Sequence, residues 1–325
     1  MRFVTYLNSA KKHCIGLHTG AMGSGLIIDL SSGLEILKIQ ETPTNMLDLI
    51  EKSDHWLPLC QKILQAHSEQ RLTNKAVFQE KYAKLVSPIP RPLSMRDGYA
   101  FRQHVESARK GRGMPMIPEF DLFPVFYFTN HLAVTGPGDI PVQEKARERL
   151  DFELEAAIVM GKSGKNIPAS KADDYIFGYM IMNDWSAREL QTQEMKMNLG
   201  PAKGKDFATS LGPYLVTRDE LQSVAIPSPH GERHDLGMRA YINDKQFSSG
   251  NLKDMNWTFA QILERASYGV LLQVGEVIGS GTVGTGCLME LNLTKVTDNV
   301  WLKPGDIVRL EIDQLGTLEN RIVAV

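Results

Sequence analysis

The stretch DFELEAAIVMGKSG (Asp151–Gly164) decides the reading of this chain. Its core, Phe152 to Val159, is apolar except for Glu153 and Glu155. That composition predicts a buried strand, and residues two apart on a strand point to the same face. One face therefore pushes two carboxylates into a low-dielectric setting. Like charges held there repel strongly unless a cation neutralises them, and a hard divalent ion with oxygen ligands is the natural remedy. A surface strand would carry the same ExE pair at no cost. The choice between the two readings rests on what surrounds the pair.

Working outward, Asp184 ends a second apolar run, FGYMIMND, and Asp97 follows a proline-rich stretch. Asp97, Glu153, Glu155 and Asp184 are the candidate metal ligands. Four carboxylates without histidine or cysteine select Mg²⁺ or Ca²⁺, with Mn²⁺ also accommodated, over Zn²⁺.

The segment LVSPIPRPLSMRDG carries Pro88, Pro90 and Pro92, which cannot sit inside a helix, and marks an expected boundary. Residues 1–84 form an expected small N-terminal domain: MRFVTYL and GSGLIIDLSSGLEIL as strands, MLDLIEKSDHWLPLCQKILQAHSE and QEKYAKL as helices. Residues 85–325 alternate short β-rich runs (PVFYFTN, YIFGYMIMND, GPYLVT, LGMRAYIND, CLMELNL, DIVRLEID) with few helices, chiefly DGYAFRQHVESARK, MNWTFAQILERASYG and SARELQTQEM. The expected class is α+β and β-dominated, a mixed β-roll or sandwich without a βαβ repeat. The glycine-rich GSGTVGTG (Gly279–Gly286) lacks the GK[ST] ending of a phosphate loop, and a β-run is expected after it.

The bulk composition narrows the classes further. In 325 residues the formal net charge is −2, so no electrostatic argument favours nucleic acid or an anionic membrane as partner. Three widely spaced cysteines form no CxxC and no disulfide framework, which fits a reducing compartment. No apolar run approaches the length of a membrane span, so a soluble, cytoplasmic protein is expected.

The words around the carboxylates resemble the fumarylacetoacetase (fumarylacetoacetate hydrolase) family. MRDGYAFRQH resembles its segment with a metal-binding aspartate and a histidine seven positions later, here Asp97 and His104. DFELEAAIV matches its paired-glutamate strand, and NDWSARELQ its next ligand, Asp184, with Arg188 and Gln191 as neighbours. GKDFATSLGP places the active-site lysine at Lys205, and GSGTVGTGCLMEL places a substrate-binding threonine at Thr282 and the histidine's partner at Glu290. Tyr99, two residues after the first ligand, is a further candidate for touching substrate.

The resemblance implies a metal-dependent hydrolase that cleaves a carbon–carbon bond in a small β-diketo acid, fumarylacetoacetate or an acylpyruvate, as a homodimer, and a setting in aromatic amino acid catabolism. In that reading His104 activates water, Glu290 orients the imidazole, and Lys205, Arg188 and Gln191 face the oxyanion. An oxaloacetate-type decarboxylase or an isomerase or hydratase could use the same metal platform, and a non-catalytic metal-binding protein is the remaining alternative. Met195, Lys196 and Met197 stand where longer members carry a tyrosine, and YFTNHLA (Tyr127–Ala133) departs from the family's substrate-binding stretch.

Overall fold

The computed structural model describes residues 1–325. Its frame is a twelve-stranded, largely antiparallel sheet. The main path runs through Val77–Gln79, Leu26–Asp29, His13–Thr19, Arg2–Leu7, Thr209–Thr217, Ile176–Asp184, Leu154–Met160, Val277–Gly279, Met95–Gly98 and Phe126–Phe128. A second sheet of five strands is ordered Lys245–Asn251, Gly237–Ile242, Ile307–Ile312, Gly316–Ala324 and Gly138–Val142. Neither closes into a barrel, and the architecture is α+β and strand-rich. No helix is long and apolar enough to cross a membrane.

Both faces of the large sheet are covered, so its central strands are apolar on both sides, as continuous runs such as IFGYMIM require. Leu154, Ala156, Ile158, Tyr179 and Ile181 point toward the five-stranded sheet and the helix Phe259–Ser267. The opposite face presents Met95, Ala157, Val159, Met180, Met182 and Val277 to Leu34, Leu49, Trp56 and Ile63 of the N-terminal helices. Alternation along each strand then places Asp97, Glu155 and Asp184 on this second face, beyond its apolar part.

Several local expectations change. The run after Leu26–Asp29 is the helix Leu30–Ile36, because the Asp29 carboxylate accepts from Ser32 N and caps it. The strand His13–Thr19 was missed, since its polar start masks the apolar remainder. QEKYAKL is a 3₁₀ turn, Glu80–Tyr82, leading into the strand Lys84–Val86. CLMELNL, expected as a strand, contains the helix Leu288–Leu293. A helix does therefore follow the glycine-rich loop, but the Asp151 carboxylate already accepts from Leu288 N and Met289 N, which occupies the amides a phosphate would need.

The sheet runs across the expected boundary at residue 84. Arg2–Leu7 pairs with both Thr209–Thr217 and Lys84–Val86. A buried cluster adds to this join: His18 Nε2 lies 3.0 Å from Glu80 Oε2, and the Tyr214 hydroxyl donates to Glu80 Oε1. We propose that the first 84 residues are a structural part of one folding unit. Deleting them should yield an aggregating, non-cooperative product, because a central strand loses its neighbour and an apolar sheet face loses its cover. A soluble fragment 85–325 with a sharp thermal transition by circular dichroism would contradict this.

Candidate metal centre and its acid–base pair

The strand register brings the acidic residues together. Glu155 faces Met182 across one ladder, Ala157 faces Gly279 across the next, and Gly279 faces Asp97 in a parallel pair. Gly279 has no side chain to fill the space so formed. A Cβ there would collide with Asp97 Oδ1 and stand 3.0 Å from Glu155 Oε2, so the carboxylates occupy that volume. Glu153 lies just before its strand rather than in it, and its backbone N–H is fixed by Asn183 Oδ1 at 3.0 Å. Gly281, at φ +76°, crosses close over Gly98 and donates its N–H to Asp97 Oδ1 at 3.1 Å.

Ligand atoms of Asp97, Glu153, Glu155 and Asp184 all lie within 4.8 Å of one another, and every one of these residues is buried. Two cations reach in. Lys205 Nζ donates to Glu153 Oε2 at 2.6 Å and to Asp184 Oδ2 at 2.7 Å. Arg188 donates through Nη2 to Glu153 Oε1 at 2.7 Å, through Nε to Asp151 Oδ2 at 2.8 Å, and through Nη1 to Gln191 Oε1 at 2.9 Å. The Tyr127 hydroxyl donates to Asp184 Oδ2.

Five buried carboxylates, Asp151 included, thus face two buried cations. Burial acts to raise Glu153, but the charges of Lys205 and Arg188 outweigh it and hold its carboxyl well below the ordinary range. The others lack that help. Burial, then the charge of Asp184, pushes Asp97 up to about 7. Burial, then Asp97, raises Glu155 well above the usual carboxylate value. Asp97 and Glu155 thus both favour holding a proton wherever no further positive charge offsets theirs.

Two acceptors remain buried and without any partner: Glu155 Oε2 and Asp184 Oδ1. Orphaned carboxylate oxygens are costly, and here both belong to an oxygen-only donor set. The residues present therefore fit a hard divalent cation, and the cluster is able to bind a metal ion. Glu153 would be the ligand with least charge left to give, since both its oxygens already accept from cations.

Beside the cluster stands a second constellation. His104, on the helix Arg102–Gly111, places Nδ1 2.6 Å from Oε2 of Glu290, on the helix Leu288–Leu293. The two residues are 186 positions apart and both are buried. The same Glu290 oxygen accepts from Thr285 N at 3.0 Å, which fixes the carboxylate and leaves His104 Nε2 as the free ring nitrogen. His104 is close enough for its charge to act on Glu153. The Tyr99 ring meets the imidazole edge-on at 5.9 Å, and Thr282 Oγ1 lies 3.4 Å from Glu155 Oε1.

All eleven residues singled out in the sequence converge here, Gln191 only through Arg188. Sequence reasoning missed Asp151, Asn183, Gly279 and the Tyr127 hydroxyl. Asp151 opens the diagnostic stretch, but nothing in its local pattern reveals that it holds Arg188 and the amides of a distant helix. Met195 and Met197 are exposed and make no part of the cluster.

The chain has relatives in sequence and in fold. The fumarylacetoacetate (FAA) hydrolase C-terminal family matches residues 94–323. The chain belongs to the fumarylacetoacetate hydrolase family. It is 29% identical over 313 residues to the oxaloacetate tautomerase YisK of Bacillus subtilis, covering 92% of this chain and 95% of that one. It is likewise 29% identical over 327 residues to the mitochondrial oxaloacetate tautomerase fahd2 of Xenopus laevis, covering 99% and 90%. A fumarylacetoacetate hydrolase from Exiguobacterium antarcticum shares the fold with a TM-score of 0.71 over 100% of both chains, at 22% identity. Family membership makes this chain a metal-dependent enzyme and leaves the reaction to be argued from the site.

The charge balance generates a test. Mg²⁺ should raise the melting temperature, by about 2.7 kcal/mol of stabilisation at a hundredfold excess over Kd. Glu155→Gln, which imitates the protonated carboxyl favoured by burial, should melt no lower than wild type without metal yet lose the Mg²⁺ increment. A Glu155→Gln variant that keeps the full increment in differential scanning fluorimetry would remove Glu155 from the ligand set.

Proposed function

We propose that this protein is a divalent-metal-dependent enzyme that interconverts the keto and enol forms of a small 2-oxo dicarboxylic acid of the oxaloacetate type. The observation that carries the reading is the His104–Glu290 pair beside the carboxylate cluster. Tautomerisation needs a dicarbonyl held so that its enolate is favoured, and one group that moves a proton between carbon and oxygen. The two relatives matched over more than nine-tenths of this chain both carry the tautomerase name.

Asp97, Glu153, Glu155 and Asp184 would hold the metal, and their oxygen donors favour Mg²⁺, Ca²⁺ or Mn²⁺. When bound, the ion supplies a Lewis acid that stabilises negative charge on the dicarbonyl oxygens. The remaining work falls to side chains. Nδ1 of His104 is engaged by Glu290, so Nε2 takes the proton from the carbon between the carbonyls and returns it to oxygen. Glu290 offsets the imidazolium formed in between, as the acid of a Ser-His-Asp triad does. Lys205 and Arg188 hold fixed positive charge near the developing oxyanion. Thr282 and Tyr99 line the substrate side. A cavity of about 260 Å³ opens on the Lys205 and Tyr127 side of the cluster.

A second reading, hydrolysis of the carbon–carbon bond in a β-diketo acid such as fumarylacetoacetate or an acylpyruvate, is favoured by the same pair. An imidazole backed by a carboxylate can serve as a base toward water as well as toward carbon. Decarboxylation needs no such base, so the pair argues against it as the main activity.

Purified enzyme with Mg²⁺ should accelerate the loss of enol absorbance of oxaloacetate above the spontaneous rate. His104→Ala should lower kcat by about two to four orders of magnitude, with Mg²⁺ affinity by calorimetry nearly unchanged. Glu290→Gln should fold and be strongly impaired. Near-native turnover in His104→Ala, or loss of metal binding, would overturn the assignment. Wild-type enzyme that ignores oxaloacetate but consumes acetylpyruvate or fumarylacetoacetate would promote the hydrolase reading.

A further inference from the structure

Cys287 has no place in the reaction just described, yet it sits against the acid–base pair. It is fully buried at the start of the helix Leu288–Leu293, where its Sγ accepts from Glu290 N at 3.5 Å. One ligand atom each from His104, Cys287 and Glu290 lies within 4.8 Å of the other two. The donor set here is nitrogen, sulfur and oxygen, against oxygen alone in the carboxylate cluster. The two neighbouring sites therefore differ in softness, and the rules of ligand preference sort cations between them.

We propose that His104, Cys287 and Glu290 form a second metal site, for a thiophilic divalent cation such as Zn²⁺, whose occupation disables the acid–base pair. Tetrahedral Zn²⁺ with bonds of about 2.0–2.3 Å needs ligand atoms roughly 3.3–3.8 Å apart. The contact of 2.6 Å between His104 Nδ1 and Glu290 Oε2 has to open by about an ångström, and the other separations, none above 4.8 Å, have to close by no more than about as much. Side-chain rotation suffices for both, and water completes the fourth position. On binding, the Cys287 thiol releases its proton to solvent, and the imidazole carries its remaining proton on Nε2. Thiolate and carboxylate then balance the two positive charges, so the occupied site is neutral. His104 can no longer accept a proton at Nε2, and Glu290 no longer backs it. The consequence for turnover rests on the proposed role of the pair. The binding itself does not.

The test uses the full-length protein kept in excess Mg²⁺, so that the oxygen site is satisfied. Co²⁺ is the spectroscopic probe and Zn²⁺ the inhibitor. Wild type should give a thiolate-to-cobalt charge-transfer band in the near ultraviolet, retain one Zn²⁺ per chain, and lose activity in step with that occupancy. Cys287→Ser keeps a side-chain acceptor at the helix start. It should fold, turn over with Mg²⁺, show no band, and bind Zn²⁺ more weakly by roughly 100-fold, the upper end of what even outer-shell partners contribute. Cys287→Ala should behave alike in the metal assays. No cobalt band in wild type, or Zn²⁺ inhibition equally strong in Cys287→Ser, which would place Zn²⁺ at the carboxylates, overturns the proposal. A band and bound Zn²⁺ without loss of activity would uphold the site and overturn the role given to His104 and Glu290.

Discussion

Mutual repulsion among buried carboxylates is the constraint on which the rest of this structure depends. Ladder register brings Asp97, Glu155 and Asp184 together, Asp151 and Glu153 join them from just before the central strand, and Lys205 and Arg188 offset only part of the charge. A fold that tolerates such a site needs rigid elements around it. The large sheet supplies them, with both faces covered and its central strands apolar. With all five carboxylates ionised against two cations, a divalent ion reduces the charge deficit of the cluster from three to one. Binding and folding are therefore coupled through the same residues.

The same elements also seat the acid–base pair. Asp151 illustrates how. One of its oxygens accepts from Arg188, and both fix amides at the start of the helix that carries Glu290. A single buried carboxylate thus links the cationic side of the cluster to the partner of His104. Gly279 serves the site in the opposite way, by contributing nothing. Its missing side chain is the space in which Asp97 and Glu155 meet.

Much of this was legible in the sequence, for identifiable reasons. The ExE pair in an apolar run, and Asp184 at the end of another, announce a buried acidic site because charge and hydrophobicity conflict openly there. The His104–Glu290 contact spans the chain, and only the resemblance of the flanking words pointed to it. Elements set by side-chain capping were read wrongly. Leu30–Ile36 and Leu288–Leu293 are seven and six residues long, too short for periodicity to separate helix from strand. Asp29, Cys287 and Asp151, acting as caps and partners, decide the outcome. The boundary at the prolines was equally ambiguous. Pro88 to Pro92 does interrupt regular structure, but strand pairing on either side of it is decided by contacts the linear sequence cannot display.

The most direct measurement is a crystal of the full chain soaked with Mn²⁺, read in an anomalous difference map. The account predicts one strong peak enclosed by Asp97, Glu153, Glu155 and Asp184, with oxygen ligands at roughly 2.0–2.6 Å. A map with no peak at these carboxylates, or with its strongest peak on the protein surface, would contradict it.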